Sequence, residues 1–173
     1  RVVNLSKREA DMAITVSPPE TGRLTVQKIT NYRLSLAQRR DAPAPQSLAA
    51  LGDRPLVGYI PDMIFDKELD YLGELGLTRV SLASNSVLVQ LNWLRQGAGL
   101  GIVHDFALPS APELRRLLID RVHISRAFYL VRHADDARLE RMNRFAAQLT
   151  EGLRQEVARL EGELDKMSQA SDA

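Results

Sequence analysis

The 173-residue chain predicts an α/β fold with mostly parallel strands. Two observations carry that expectation. Residues 77–106, LTRVSLASNSVLVQLNWLRQGAGLGIVHDF, pass from a short apolar run to cap-type residues, a helical stripe, glycines and a second apolar run. A strand–helix–strand unit of this kind needs a parallel sheet covered on both faces. Short strand-like runs also alternate with helix-like stripes elsewhere in the chain, the pattern of a layered α/β sandwich.

Each element has its own signal. VVNLSKREA reads as the end of a helix with Val2 and Leu5 inward, and Asp11 leads into the buried strand MAITV. SPPETG is a loop, because Pro18, Pro19 and Gly22 continue neither helix nor strand. LTVQKI and YRLSLAQ alternate apolar and polar residues and read as two strands. DAPAPQ is a proline-rich break, and PQSLAALG a short helix capped by Gly52. PLVGYI is a strand, after which Asp62 or Asp66 caps a helix running through Tyr71, Leu72 and Leu75 to Gly76.

Val80–Ala83 is the next strand, and Asn85 and Ser86 stand where the period changes from 2 to 3.6. Val87, Leu88, Leu91, Leu94 and Arg95 form the helical stripe, Gly97 and Gly99 end it, and GLGIV opens a buried strand. PELRRLL reads as a short helix, RVHIS and RAFYLVR as strands. From Asp135 to about Lys166, Leu139, Met142, Phe145, Leu149, Leu153, Val157, Leu160, Leu164 and Met167 recur at steps of three and four. Asp135 and Asp136 suit the positive end of that helix. SQASDA is expected to be a disordered tail.

Composition excludes several classes. Hydrophobic content of 45% with 26% charged residues is ordinary for a soluble globular protein. No apolar run approaches a membrane span and no secretory signal is present. The chain begins at Arg1 inside a helical pattern, so a missing front end is expected. With no cysteine, disulfides and thiolate chemistry are excluded. The net charge of +1 does not suit a nucleic-acid surface, which needs clustered positive charge. Arg39–Arg40 and Arg115–Arg116 read as solvated pairs.

Catalytic chemistry finds no constellation. Gly97-Ala98-Gly99-Leu100-Gly101 imitates a dinucleotide loop, but its glycines follow a helix and open a strand, the reverse of the order a pyrophosphate needs. Asp66, Asp70 and Glu74 share a face at i,i+4 and read as solvated surface. No G-x-S-x-G elbow occurs, and His104, His123 and His133 lack metal-ligand spacing. The reading is therefore not an enzyme, with no catalytic residue, metal or cofactor.

In α/β sheets, ligands collect where strands end and helices begin. That rule selects Thr15 after MAIT, Pro61, Asp62, Met63 and Phe65 after LVGYI, Ser84, Asn85 and Ser86 before the next helix, and His104 and Asp105 after GIV. His104 has two readings: an imidazole at the ligand edge that titrates near neutrality, or a partly buried ring.

The ordered set SNS…L…L…GAGLGIV…DF, preceded by PLVGYIPDMIF and READMAIT, resembles the effector-binding domain of LysR-type transcriptional regulators. The resemblance runs from about Val3 to Arg154. It implies two small Rossmann-like α/β lobes joined by crossing strands, as in periplasmic binding proteins, with the first lobe truncated at its N-terminus. Lobe I would comprise residues 1–36 and 131–167, lobe II residues 37–130, and the tail residues 168–173. The effector would lie in the cleft between lobes, where Pro61–Phe65 and Asn85–Ser86 match lining segments. His104 departs from the family, which often has proline in an LP pair there. The family's DNA-binding winged helix-turn-helix, its linker helix and the first strand and helix of the effector domain have no counterpart in these residues.

The resemblance thus implies a ligand-sensing domain of a cytoplasmic bacterial regulator. Its partners would be a small-molecule effector, itself as dimer or tetramer, and DNA only through an absent N-terminal domain, with no membrane. The alternative is a stand-alone solute-binding protein of a transporter, which would carry a secretory signal. Helix N-termini near Asp62–Phe65 and Asn85–Ser86 favour an anion, so a small organic acid is expected with its carboxylate at Asn85–Ser86 and Asp62 turned inward as an N-cap. Val157–Met167 extends the last helix beyond the family's usual length. It either packs and then frays, or pairs with another chain.

Overall fold

Met12–Thr15 forms β1, and the alternating residues Leu24–Arg39 form one sixteen-residue strand, β2. The two strands read from LTVQKI and YRLSLAQ are thus continuous. Thr30, Asn31 and Tyr32, polar enough to suggest a break, remain in the extended backbone. The computed structural model describes residues 10–51 and 54–171, so the helix read from VVNLSKREA and the cap at Gly52 lie outside the described residues. The chain divides into two compact units: Arg1–Tyr32 with Arg126–Arg159, and Arg33–Ser125 with Leu160–Ala173.

In the first unit β1 pairs antiparallel with β7 (Ile124–His133), Met12 opposite Arg132 and Thr15 opposite Tyr129. RVHIS and RAFYLVR are therefore not two strands. Ile29, Leu130 and Ala146 form the buried centre, with Met12, Phe128, Leu149 and Leu153 packed on it. Tyr32 stacks on Phe128 with ring centroids 4.2 Å apart. The helix α3 (Glu140–Ser171) follows a 3-10 turn at Ala134–Arg138. In this unit it buries Ala146, Thr150 and Val157, while Phe145 of the expected stripe is 56% exposed.

The second unit holds the strand–helix–strand motif. β3 (Leu56–Gly58) lies between β4 (Leu82–Ala83) and β5 (Leu100–His104) and is parallel to both. β5 and β6 (Leu114–Arg116) pair antiparallel with β2, which makes the sheet mixed rather than mostly parallel. PELRRLL is thus a strand, not a helix. Its helical spacing yields to main-chain pairing, with Arg116 opposite Ala37.

Between β4 and β5 runs α2 (Val87–Arg95), capped by Ser86, whose Oγ accepts the Val89 N–H at 3.4 Å. It ends in a Schellman motif: Gly97 N–H reaches Leu94 O at 2.9 Å, Ala98 N–H reaches Trp93 O at 3.0 Å, and Gly97 has φ of 81°. The buried side is Gln90 and Leu94, while Val87 and Leu88 face outward, Leu88 at 67% exposure. Leu94 joins Ala37, Val57, Val103, Leu108, Ala111 and Leu114 in the core of this unit. Each fully buried leucine of this kind contributes about 1.5–3 kcal/mol.

Two further expectations change. PQSLAALG yields only a 3-10 turn at Ala49–Leu51. The helix expected from Asp62 or Asp66 is broken into 3-10 turns at Pro61–Met63 and Lys67–Leu69 and the single turn α1 (Tyr71–Glu74). Asp66 caps the second turn by accepting Glu68 N–H, and Asp70 caps α1 by accepting Gly73 N–H. Asp62 caps nothing. It lies within the first turn, exposed, with Ile60 at the cap position.

The end of α3 belongs to the second unit. Leu164 is buried in that unit's core, and the helix continues to Ser171. Glu161 and Asp165 accept hydrogen bonds from Arg33, and Ser168 accepts one from Arg116. The extension beyond Val157 is therefore packed rather than frayed.

Candidate functional site

The strand ends of the second unit place the residues of interest. Gly58 ends β3, and its carbonyl accepts the Ser84 N–H at 3.0 Å, tying the Tyr59–Phe65 segment to the α2 cap. Asn85 Nδ2 lies 3.2 Å from Met63 Sδ, so these expected residues do meet. Ser84 Oγ accepts the Ser86 N–H at 3.1 Å. Gln90, buried one turn into α2, donates to Ser84 O. The cap is thus a closed set of local bonds.

Beside it lies a cavity of about 480 Å³. Pro61 and Phe65 line it, together with Gly58, Tyr59, Ile64, Tyr71, Gln90 and Ile102. Asp62, Met63, Ser84, Asn85, Ser86, His104 and Asp105 are not among its lining residues. Its wall is aromatic and aliphatic, with the Gln90 amide and the charges of Lys67 and Asp70 as polar groups. That mixture suits a small ligand held by apolar contact and oriented by few polar groups. Burial raises the Tyr59 phenol above its ordinary value, so it stays a neutral hydroxyl. The strand-end rule does not reach Gln90. Its signal in the sequence is a polar residue at i+4 from the cap and i−4 from Leu94, on the inward face.

His104 closes β5. Its ring is edge-on to Tyr71 at 6.3 Å between centroids and tilted on Phe106 at 5.0 Å. Burial depresses its pKa to about 4, so the imidazole is neutral through the physiological range. This favours the partly buried ring over titration near neutrality.

Asp105 turns elsewhere. It is 1% exposed, accepts a hydrogen bond from Ser35 Oγ at 2.6 Å, and lies 3.5 Å from Arg116 and 3.7 Å from Arg33. These residues line a second cavity of about 450 Å³. Thr15 belongs to the first unit, where its hydroxyl donates to Ser17 O at 2.7 Å.

Among the described residues no group of His, Cys, Asp and Glu could hold a metal ion. No helix among them is long and apolar enough to cross a membrane.

The family profile described as LysR substrate binding domain matches residues 1–154. Among solved structures, the regulatory domain of CrgA, a LysR-type transcriptional regulator from Neisseria meningitidis, is 19% identical. It aligns over 87% of this chain and 79% of that one, with a TM-score of 0.74. The CcmR regulatory domain of Synechocystis PCC6803, in complex with 2-PG, is 21% identical over 87% of this chain and 76% of that one, at a TM-score of 0.67. A Corynebacterium glutamicum OxyR mutant is 19% identical over 92% of this chain, which spans 53% of that protein, at 0.67. No curated protein sequence matches the chain.

Proposed function

Because the chain belongs to the family of LysR substrate binding domains, we propose that it is the ligand-sensing part of a bacterial LysR-type transcription regulator and that its effector is a small organic acid. The observation that carries this reading is the cavity of about 480 Å³ in the second unit, beside the Pro61–Phe65 segment and the capped end of α2. Its apolar wall would take the carbon skeleton. Lys67 and the Gln90 amide on that lining would favour a carboxylate, with the N-terminal end of α2 at Asn85–Ser86 adding its dipole from outside the lining. The CcmR domain in complex with 2-PG supports a small ligand on this fold. An OxyR relative is H2O2-bound, but these residues contain no cysteine and so no thiol to oxidise.

The regulator reading is favoured over a transporter's solute-binding protein by the family match. The domain would act in the cytoplasm by self-association and by preferring one of two arrangements when ligand is bound, since only differential affinity moves an equilibrium. Operator contacts would come from a part of the regulator outside these residues.

Calorimetry with a panel of small organic acids tests the reading. An acid should bind, and Lys67→Gln should weaken it by about 0.5–1.5 kcal/mol, with Phe65→Ala weakening it also. Binding by neutral aromatics or cations while every acid fails would overturn the effector class. A sequence-specific shift of duplex DNA by these residues alone would overturn the division of labour.

A further inference from the structure

The second cavity sits apart from the Pro61–Phe65 site and carries a different chemistry. Arg33, Ser35, Asp105, Arg116, His123 and Ser125 line its polar side. The guanidinium groups of Arg33 and Arg116 are held there by the chain's own last helix. Glu161 takes the Arg33 backbone N–H at 2.7 Å and its Nε at 3.0 Å. Asp165 accepts both its contacts from the terminal NH2 of Arg33, at 3.1 and 3.0 Å. Ser168 Oγ accepts from Arg116 at 2.7 Å. Spacing of i, i+4 and i+7 puts these three side chains on one face of α3.

We infer that Arg33 and Arg116 form a binding site for a small dianion, a dicarboxylate or a phosphate, which α3 fills with its own carboxylates until such a ligand displaces them. Planar guanidinium groups recognise carboxylate and phosphate by paired N–H donation, and Glu161 and Asp165 supply the contacts a free dianion would make. With the helix seated, two guanidinium groups face three carboxylates, Asp105, Glu161 and Asp165, and an incoming anion is repelled. With the helix withdrawn, only Asp105 remains, and the field becomes positive.

The outer part of this contact is the exposed part: Arg33 and Asp165 side chains are 42% and 45% exposed, where ion pairs are weak, against 15% for Glu161 and 16% for Arg116. Leu164 is the buried apolar anchor of the segment, and terminal turns open at the lowest cost in a helix. The segment also lies beyond residue 154, where the family match ends. The inference stands whether or not an acid binds near Phe65.

The test titrates succinate and inorganic phosphate separately into the wild-type protein and the E161Q/D165N variant by calorimetry. The variant should bind one of the two about tenfold more tightly or better, and the responding probe identifies the dianion. Adding Arg33→Gln to the variant should abolish the gain. In the wild type, saturating probe should speed hydrogen exchange at Leu160–Ser171. Equal affinity of wild type and variant, including no binding by either, would overturn the inference. So would a gain that survives Arg33→Gln, or exchange that slows on adding the probe. If the variant does not fold, the wild-type exchange experiment decides alone.

Discussion

Ser35 Oγ donates a 2.6 Å hydrogen bond to Asp105 Oδ1, joining β2 to the turn that follows β5. The bond gives a buried carboxylate a neutral donor in addition to its two arginines. Asp105→Ala should destabilise the protein by about 1–3 kcal/mol, since it strips the innermost partner from Arg33 and Arg116 while Glu161, Asp165 and Ser168 remain on them. Ser35→Ala should cost about 1.5–3 kcal/mol, the range for a hydrogen bond to a charged group. Urea denaturation of each variant measures both. A loss under about 1 kcal/mol for Asp105→Ala, by the same scale, would mean the carboxylate is not needed there.

The pH dependence follows from His104. Its folded pKa, about 4, lies below the ordinary 6.5, so the unfolded chain takes up a proton first as pH falls. Stability from this group is fully present above pH 6.5 and is lost progressively as pH drops toward 4, by up to about 3 kcal/mol. His104→Phe should flatten this part of the curve. Denaturation midpoints at pH 7 and pH 4.5 for both proteins check it. An equal fall in the two would assign the effect to other groups.

Two glycines should respond in opposite directions. A Cβ at Gly99 would stand 2.1 Å from Pro55 O, and the residue has φ of 151°. Gly99→Ala should therefore cost more than about 2 kcal/mol. Gly152 lies within α3, and a Cβ added there would meet no atom within 4 Å. Gly152→Ala should stabilise by about 0.5–1 kcal/mol through helix propensity. Thermal melts separate the two signs.

Leu164→Ala should cost about 2–5 kcal/mol, the range for truncating a buried leucine, because Leu164 packs into the core of the second unit. Met167→Ala, nearer the end of the helix and only half-buried, should cost less. Chemical denaturation of the two variants compares them, and equal losses would deny Leu164 its role as anchor.

The α2 region is legible in sequence because its punctuation is local. Ser86 caps three residues ahead, and Gly97 supplies the positive φ that the Schellman turn requires. β6 is not legible, because Leu114 and Leu117 have helical spacing while the decisive pairing with Ala37 is remote. The same holds for the candidate sites. Pro61 and Phe65 follow from the end of a strand, but Tyr71 reaches the cavity only after the chain has turned through two 3-10 segments. The Arg33 cluster unites residues more than a hundred positions apart. No periodicity encodes it.

The register of β1 has a consequence for synthesis. Met12 pairs with Arg132, so the first strand leaves the ribosome long before its partner exists. At about 5–20 residues per second, the delay is on the order of ten seconds. Leu164 arrives later still, and until then the core of the second unit lacks one of its members. Until Tyr129–Arg132 emerge, β1 lacks the strand it pairs with. Nascent chains stalled short of residue 129 should therefore depend on a holding chaperone to stay soluble, whereas the released protein should not.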